Sequence, residues 1–254
     1  MLTPADTAYA IATIRADERA LAPTERLLDD PFAAIFAAAG AHAREGTERF
    51  LALPFFRDGV RLRTRCIDDV LRDALAAGIG QVVLLGAGFD MRGLRLPAIA
   101  RHGATVFEVD FAALLARKRS LLDAAGVTAS PAVRAVPADF DAPDVGAMLD
   151  AALAEEGFRA GAGRVFVCEG VMAYIARASF DALVAFALGA GGPGSVFVFD
   201  HGALSFDPDG AEAWALAQGF ARFDVHAGDD LWRRYLPGEP HENAWFMRVG
   251  VGTA

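Results

Sequence analysis

The stretch Gln81-Val-Val-Leu-Leu-Gly-Ala-Gly-Phe-Asp-Met-Arg92 decides the fold class of this chain. Its apolar run, Val82–Leu85, predicts a buried strand that leads directly into Gly86-Ala87-Gly88. A strand that ends in a glycine turn before a helix is typical of nucleotide-binding α/β domains. A dinucleotide site would have a third glycine at position 91, but this chain has Met91 there, preceded by the carboxylate of Asp90.

The composition indicates a globular protein with a sizeable core. The chain has 254 residues, of which 54% are hydrophobic and 22% charged, enough to bury one large core. A net charge of -9 and a pI of about 5.0 argue against a nucleic-acid partner, which needs clustered Lys and Arg. Two cysteines, Cys66 and Cys168, make no disulfide framework, and we expect both in the core.

The chain shows no secretion signal and no convincing membrane span. The longest uncharged run, Ala182–Phe199, contains Gly-Ala-Gly-Gly-Pro-Gly-Ser, which would break a spanning helix. We therefore expect a soluble, cytoplasmic protein whose partner is a small molecule, with no membrane or nucleic-acid contact. The oligomeric state is not predictable from these features.

Beyond residue 80, short apolar runs alternate with helical segments. This alternation predicts a parallel sheet covered by helices on both faces. The strand candidates are Val82–Leu85, Thr105–Val109, Val133–Val136, Arg164–Cys168 and Ser195–Phe199, and the helix candidates between them are Phe111–Ala125, Pro143–Glu156 and Ser179–Leu188.

The first 80 residues are predicted to be helical. One helix starts at Asp30-Pro31, and a second runs from about Arg57 to Ala77. We expect residues 1–78 to form a helical cap that contributes to the binding sites and residues 79–254 to form the core domain. After Asp200 the pattern is weak: 206–228 shows no recognisable lid, and 244–251 is predicted only to be a closing strand.

Four consecutive predicted strands end in a glycine turn or a carboxylate. The first ends at Gly86-Ala87-Gly88, and the second at Glu108 and Asp110, where a ribose-binding acid is expected. Asp139-Phe140 follows the third strand and Glu169 the fourth. Parallel sheets bind ligands at the carboxyl ends of their strands, so this set predicts a ligand site there.

Asp90 favours a cationic ligand over a dinucleotide. A pyrophosphate would lie against the helix that follows the turn, and Asp90 would repel it at a cost of a few kcal/mol, to order of magnitude. S-adenosylmethionine carries adenosine, a sulfonium and an ammonium but no phosphate, so acids around the cleft would stabilise it. The alternative for Asp90 alone is a plain helix cap.

Several further motifs occur in a characteristic order. They are Thr7-Ala8, Ile14-Arg15-Ala16-x-Glu18, Asp29-Asp-Pro-Phe32, Arg63-Thr-Arg65, the glycine stretch with Arg92 and Arg95-Leu96, Val106-Phe-Glu-Val-Asp-Phe111 with Lys118, and Glu169-Gly-Val-Met-x-Tyr174. Over about residues 7 to 200 the chain resembles the leucine carboxyl methyltransferase family, particularly its bacterial S-adenosylmethionine-dependent O-methyltransferases. The resemblance implies a class I methyltransferase fold: a Rossmann-like, mixed seven-stranded sheet with an N-terminal helical cap.

The resemblance also implies roles for individual residues. Arg63 would reach the carboxylate of the donor, and Glu169 would face its methionine end. Gly86, Ala87 and Gly88 would line the methionine part, with Asp90 beside them. Asp110 would bind the ribose hydroxyls, with Glu108 as a second candidate. Asp139 and Phe140 would flank the adenine. The alternative for Arg63 and Arg65 is a solvated helix face, and we expect Asp68 and Asp69 to lie on the surface.

Few residues of the sequence are candidates for the site that binds the methyl acceptor. His201, one residue past the fifth strand, is a candidate base, although a lone histidine there is more often a structural hydrogen-bonding group. Tyr174, just beyond the fourth strand, is a candidate for lining the acceptor cleft, and the alternative is a residue that only packs. We expect no metal site, because His226 beside Asp229 and Asp230 is a common arrangement of loop residues.

The function predicted from these features is O-methylation of a small-molecule carboxylate or hydroxyl, and the resemblance adds polyketide-type natural products as a candidate class of acceptor. A carboxylate acceptor is ionised at neutral pH and needs no general base. Two rivals stay open at this point: an NAD-dependent oxidoreductase on a similar sheet, and a non-catalytic protein that binds S-adenosylmethionine.

Overall fold

The structure is a computed structural model that describes residues 4–41, 52–161, 163–206 and 210–254. Its helices are α1 (Pro4–Asp17), α2 (Ala33–Ala39), α3 (Pro54–Ala76), α4 (Arg92–Arg95), α5 (Pro97–Arg101), α6 (Ala112–Ala124), α7 (Val145–Glu155), α8 (Arg177–Gly191), α9 (Gly210–Gln218) and α10 (Gly228–Tyr235). Short 3-10 turns cover Glu18–Ala20 and Ala244–Phe246. The strands are β1 (Gln81–Leu85), β2 (Thr105–Asp110), β3 (Val133–Pro137), β4 (Val165–Cys168), β5 (Val196–Gly202), β6 (Arg222–Ala227) and β7 (Met247–Thr253).

The strands form one seven-stranded mixed sheet in the order β3-β2-β1-β4-β5-β7-β6. The first five of these are parallel, with Gln81 opposite Thr105 and Val165 opposite Val196, and β7 runs antiparallel to both β5 and β6. The order of successive strands reverses at β1, which has β2 on one side and β4 on the other. This crossover point is where an open α/β sheet leaves a crevice for a ligand.

The sheet buries both of its faces, as the apolar strands predict. Alternate side chains point to opposite faces: Val83, Phe107 and Phe166 pack with α7, α8 and α9, whereas Val82, Val106 and Val165 pack with α3, α5 and α10. Cys66 and Cys168 are both buried within these layers, as expected. Helix α3 thus belongs to the layer that covers one face of the sheet. The division into a cap and a core at residue 78 stays a prediction.

A third apolar cluster attaches α1 and α2 to the glycine turn. The ring of Phe89 stacks on Phe36 with centroids 4.6 Å apart and lies 4.8 Å from the ring of Tyr9. Met91 is fully buried in the same cluster. The residue that replaces the third glycine of a dinucleotide site is therefore an anchor for the N-terminal helices.

Most predicted elements are found within about two residues of their expected ends. The helix predicted at Asp30-Pro31 begins at Ala33, and Asp30 Oδ1 accepts hydrogen bonds from the backbone N–H groups of Phe32 and Ala33 at 3.0 and 3.1 Å. Helix α9 and strand β6 were not predicted, although both lie in 206–228. No helix in the described ranges is long and apolar enough to cross a bilayer.

The expected surface position of Asp68 is wrong. Asp68 is fully buried and forms ion pairs with Arg92 at 2.7 Å and Arg95 at 2.6 Å. Asp69 is partly buried and pairs with Arg65 and Arg72. Helical spacing alone did not reveal these contacts, because the partners of Asp68 come from a different helix.

Candidate active site

A cavity of about 1100 Å³ opens at the carboxyl ends of β1, β2, β3, β4 and β5. The residues predicted for the donor and acceptor sites that line it are Arg63, Gly86, Ala87, Gly88, Asp90, Asp110, Asp139, Phe140, Glu169, Tyr174 and His201. Small-molecule pockets are commonly about 300–1,000 Å³. The cavity is therefore large enough for two small molecules side by side.

The glycine turn brings bare backbone to the cavity. The N–H groups of Gly86 and Ala87 both donate to the carbonyl of Val109, at 2.9 and 3.0 Å, which ties the turn to β2. Gly86 has a φ of +73°, and a Cβ on it would lie 2.2 Å from Cγ2 of Val171. Only glycine fits there, for both conformational and steric reasons.

Asp110 is held against the glycine turn. Its carboxylate accepts hydrogen bonds from the backbone N–H groups of Gly88 and Phe111, both at 2.7 Å. Burial raises the pKa of Asp110, although these two hydrogen bonds oppose the shift. Each carboxylate oxygen retains acceptor capacity, so Asp110 can bind hydroxyl groups of a ligand in the cavity.

Glu108 lies outside the cavity lining. It is buried, its Oε2 is 2.7 Å from Nζ of Lys118, and Lys118 also donates to the carbonyl of Asp90. Burial raises the pKa of Glu108 on balance. The arrangement makes Glu108 a support for the glycine turn, which the position of the residue in the sequence did not indicate.

Asp139 and Phe140 follow β3 at the far edge of the cavity. Asp139 is exposed and accepts a hydrogen bond from the backbone N–H of Asp141 at 3.0 Å, whereas Phe140 is buried. Strands lie about 4.8 Å apart, so the ends of β3 and β5 are separated by four intervals, or about 19 Å. Phe140 and the end of β5 therefore belong to opposite halves of the cavity.

Glu169 is the centre of a buried ionic network. Its Oε1 accepts hydrogen bonds from Arg15 at 3.0 Å, Arg63 at 3.2 Å and the hydroxyl of Thr64 at 2.9 Å. Its Oε2 lies 2.8 Å from Nη1 of Arg92 but outside hydrogen-bond geometry. Burial alone would raise the pKa of Glu169, but the arginines hold this pKa well below its usual range.

Arg63 is not on a solvated helix face. It lies in the cavity wall, and its Nε and Nη1 donate to Glu169 and to Asp200, the latter at 2.6 Å. Its Nη2 makes no hydrogen bond with any residue in the described ranges, and neither does the buried Nε of Arg15. Arg63 thus keeps a donor group in the cavity wall for an anion.

Asp90 is paired within the protein. Its Oδ2 contacts Nη1 of Arg92, and its Oδ1 accepts the backbone N–H of the same residue at 2.7 Å. Burial would raise the pKa of Asp90, but Arg92 and Arg15 lower it on balance. The charge of Asp90 is therefore largely offset by Arg92, which weakens its repulsion of a pyrophosphate.

His201 borders the cavity at the end of β5. Nδ1 bonds with the carbonyl oxygen of Gly202 at 2.9 Å, which fixes the proton on Nδ1, and Nε2 is buried with no partner in the described part of the chain. Burial lowers the pKa of His201, so the ring is neutral at pH 7. A backbone carbonyl orients the ring, and no carboxylate among the described residues hydrogen-bonds it.

Tyr174 lies on the acceptor half of the cavity, after β4. It is 40% exposed, and its hydroxyl donates to Oγ1 of Thr7 at 2.8 Å, which links this loop to α1. Phe56, Met172 and Ile175 line the cavity with it. This half is mostly apolar. The described residues contain no group of three or more His, Cys, Asp or Glu side chains arranged to hold a metal.

Three residues of the ionic network received no role from the sequence: Arg15, Arg92 and Asp200. Asp200 lies near the carboxyl end of β5 and holds both Arg63 and the backbone N–H of Gly170, the latter at 2.5 Å. It follows the same rule of polar residues at strand ends that identified Asp110 and was detectable. Arg15 and Arg92 were not, because nothing in the local pattern distinguishes a buried arginine from a solvated one.

Comparisons with known proteins agree on one family. The sequence model described as "Leucine carboxyl methyltransferase" matches residues 8–187. A relative from Mycobacterium avium, named "Putative S-adenosyl-L-methionine-dependent methyltransferase", is 35% identical over 212 residues, which cover 80% of this chain and 67% of the relative. A relative of the same description from Mycobacterium tuberculosis is 32% identical over 205 residues, covering 76% of this chain and 63% of its own.

A solved structure supports the fold. The crystal structure of a "putative methyltransferase" from Thermobifida fusca superposes with a TM-score of 0.52 at 19% sequence identity, covering 91% of this chain and 92% of that chain. At this identity the similarity concerns the fold alone. The predicted class I methyltransferase sheet is confirmed.

Proposed function

This chain belongs to the leucine carboxyl methyltransferase family and is an S-adenosylmethionine-dependent methyltransferase, and we propose that it methylates an oxygen atom, by preference a carboxylate, of a small molecule. The single observation that carries the choice of a carboxylate is His201. It is the histidine in the described cavity wall, and it has no carboxylate partner and a buried Nε2. A carboxylate nucleophile requires no base.

The donor site that we propose lies over β3, β2, β1 and β4. Asp110 would bind the ribose hydroxyls, the backbone at Gly86–Gly88 would approach the ligand closely, and Phe140 with Asp139 would flank the adenine. At the methionine end, the free Nη2 of Arg63 would bind the carboxylate. Glu169 would face the ammonium.

S-adenosylmethionine supplies an activated methyl group on a sulfonium. The residues of this chain have to hold the acceptor in line and exclude water, and alignment of two reactants alone can lower a barrier by about 7–11 kcal/mol. The apolar wall of Phe56, Met172 and Ile175 would exclude water around the acceptor. Tyr174 and His201 would line the same half as positioning residues.

The rival dinucleotide function is disfavoured by the family assignment. The Asp90 charge no longer decides this point, because Arg92 offsets it. A non-catalytic binding role would leave the acceptor half of the cavity without a purpose. Turnover separates these functions directly.

The test is transfer of a labelled methyl group to a panel of aromatic and aliphatic carboxylic acids and phenols. We expect a labelled product that releases its methyl group as methanol in mild base, as an ester does and an ether does not. A base-stable label would contradict the carboxylate assignment. Transfer to none of the acceptors, despite saturable binding of S-adenosylhomocysteine, would contradict the catalytic proposal.

A further inference from the structure

The acceptor half of the cavity contains one cation that the donor site does not use. Three arginines line the cavity among the described residues: Arg15, Arg63 and Arg177. The first two are bound to Glu169 at the donor end. Arg177 is the first residue of α8, beyond β4, and therefore lies in the half that faces β5.

Arg177 is held in place by four contacts. Its guanidinium lies 4.6 Å from the ring centroid of Phe206 and 5.2 Å from that of Trp214. Its Nε bonds with Asp181 at 2.8 Å, and its Nη1 donates to the carbonyl of Ser205 at 3.4 Å. Trp214 also donates to Asp181, at 3.1 Å, which fixes the carboxylate that orients the guanidinium.

This environment differs from that of an ordinary surface pair. Arg119 and Asp123 have the same spacing of four residues, and the Arg119 side chain is about as exposed as that of Arg177, at 37% against 42%. The difference lies in the surroundings, because Arg119 has no ring contact among the described residues and lies off the cavity. Arg177 is aligned by rings on one side and a carboxylate on the other, and its Nη2 has no hydrogen bond with a described residue. Little side-chain entropy remains to be lost on binding.

We propose that Arg177 is a specificity-determining residue that binds a carboxylate of the acceptor other than the oxygen that is methylated. This inference rests on the proposed function of the site. A cation paired with the nucleophile would stabilise the charged ground state more than the transition state, in which that charge is neutralised. Arg177 can therefore assist only by binding a carboxylate of the acceptor that is not methylated and keeps its charge throughout the reaction.

The acid beside Arg177 restricts the anion to a singly charged group. Asp181 is paired with the guanidinium. Its carboxylate would repel a phosphate dianion more strongly than a carboxylate. The acceptor class is therefore a small apolar or aromatic acid with a second oxygen function, either another carboxylate or a hydroxyl.

The expected kinetic signature is a change in KM with kcat preserved. An anchor that binds equally in the ground and transition states affects binding of the acceptor and not its conversion. Replacement Arg177→Gln should raise KM for a diacid about tenfold, as expected for one charge-assisted hydrogen bond. The KM of Arg177→Lys should lie between those of the parent and Arg177→Gln, because lysine keeps the charge but lacks the planar guanidinium.

The test uses matched probes on the complex with S-adenosylhomocysteine, followed by NMR. One pair is 4-hydroxybenzoate with 4-hydroxybenzamide and the other is 3-hydroxybenzoate with 3-hydroxybenzamide, so that only one member of each pair is charged. We expect the full chain to bind each anionic member at least about fivefold more tightly than its amide. Arg177→Gln should lose this preference, and Arg119→Gln should keep it.

Equal binding within each pair, an unchanged preference in Arg177→Gln, or no saturable binding of either anion would overturn the inference. Binding of S-adenosylhomocysteine distinguishes a failure of this inference from a failure of the proposed function. If the parent does not bind S-adenosylhomocysteine, the proposed donor site fails. If it binds S-adenosylhomocysteine, as Arg177→Gln should too, but does not discriminate the anions, only the inference fails.

Discussion

The side chains of Arg15 and Glu169, 154 positions apart in the sequence, form a buried ion pair with an N–O distance of 3.0 Å. The pair joins helix α1 to the end of β4. Because Glu169 also holds Arg63 and Arg92, this one carboxylate connects the N-terminal helices, the sheet and the segment after the glycine turn.

Replacing Glu169 with glutamine should lower the free energy of unfolding. The change leaves three buried arginines without their shared counter-charge, and breaking a buried pair typically costs about 3–5 kcal/mol. We expect urea unfolding to show a loss of that size for Glu169→Gln. Asp123→Asn breaks the exposed pair with Arg119 and is the control, with no measurable change in stability expected. Equal stability of the two variants would show that the network around Glu169 is not important for folding.

Gly86→Val should abolish donor binding through both backbone and space. The new side chain would require a positive φ and would overlap Val171. Gly78→Ala is the matched control, because Gly78 also has a positive φ, of +96°, but nothing lies within 4 Å of its Cβ position. We expect Gly78→Ala to cost about 1 kcal/mol of stability and to leave titration with S-adenosylhomocysteine unchanged. Normal binding by Gly86→Val would place the donor elsewhere.

Stability in acid should report on Asp68. Burial alone would raise its pKa, but Arg95 and Arg92 bring it down to about 2. Because the pKa is lower in the folded state than the unperturbed value of about 3.9, Asp68 contributes stability above pH 4. That contribution is lost as the pH falls from about 4 to 2.

The contribution of this shift is on the order of 2 kcal/mol. We expect the unfolding free energy of the parent to fall more steeply between pH 4 and pH 2 than that of Asp68→Asn. Asp139→Asn, at an exposed acid, is the control and should follow the parent. Parallel curves for the parent and Asp68→Asn would contradict the assigned shift.

The dependence of kcat/KM on pH should identify the nucleophile. A carboxylate stays ionised, so the rate should be nearly flat from about pH 6 to 8, and His201→Ala should cost about tenfold or less. If the acceptor is a phenol, a neutral His201 has to take its proton. The rate would then fall as the pH drops through the lowered pKa of His201, and the variant would lose about 10²–10⁴-fold. A rise with pH that disappears in His201→Ala would contradict the carboxylate assignment.

The sequence located the ligand cavity because one rule applies to every parallel strand. Gly86, Asp110 and Glu169 each follow the carboxyl end of an apolar run, and the sheet brings those ends together. Asp110 therefore needed no knowledge of distant contacts. Glu108 obeys the same rule in the sequence, but its side chain points away from the cavity, towards Lys118.

What the sequence did not reveal depends on long-range pairing. Asp68 and Arg92 have ordinary charged surroundings in the sequence and become buried only because α3 meets the segment after the glycine turn. Strand β6 alternates Phe223, Val225 and Ala227 with charged or polar residues, but it is an edge strand that is only partly buried. It was missed because it lacks the continuous apolar run that marks the buried parallel strands.

The most direct test of the donor site is calorimetric titration of S-adenosylhomocysteine into the parent, Asp110→Ala and the control Asp123→Ala. Loss of the charge-assisted hydrogen bonds that Asp110 would make to ribose hydroxyls should cost about 1.5–3 kcal/mol, a ten- to more than hundredfold loss of affinity. We predict saturable binding by the parent and by Asp123→Ala, weakening of this size in Asp110→Ala, and no binding of NAD. Equal affinity of S-adenosylhomocysteine for all three proteins, or preference of the parent for NAD, would contradict the account.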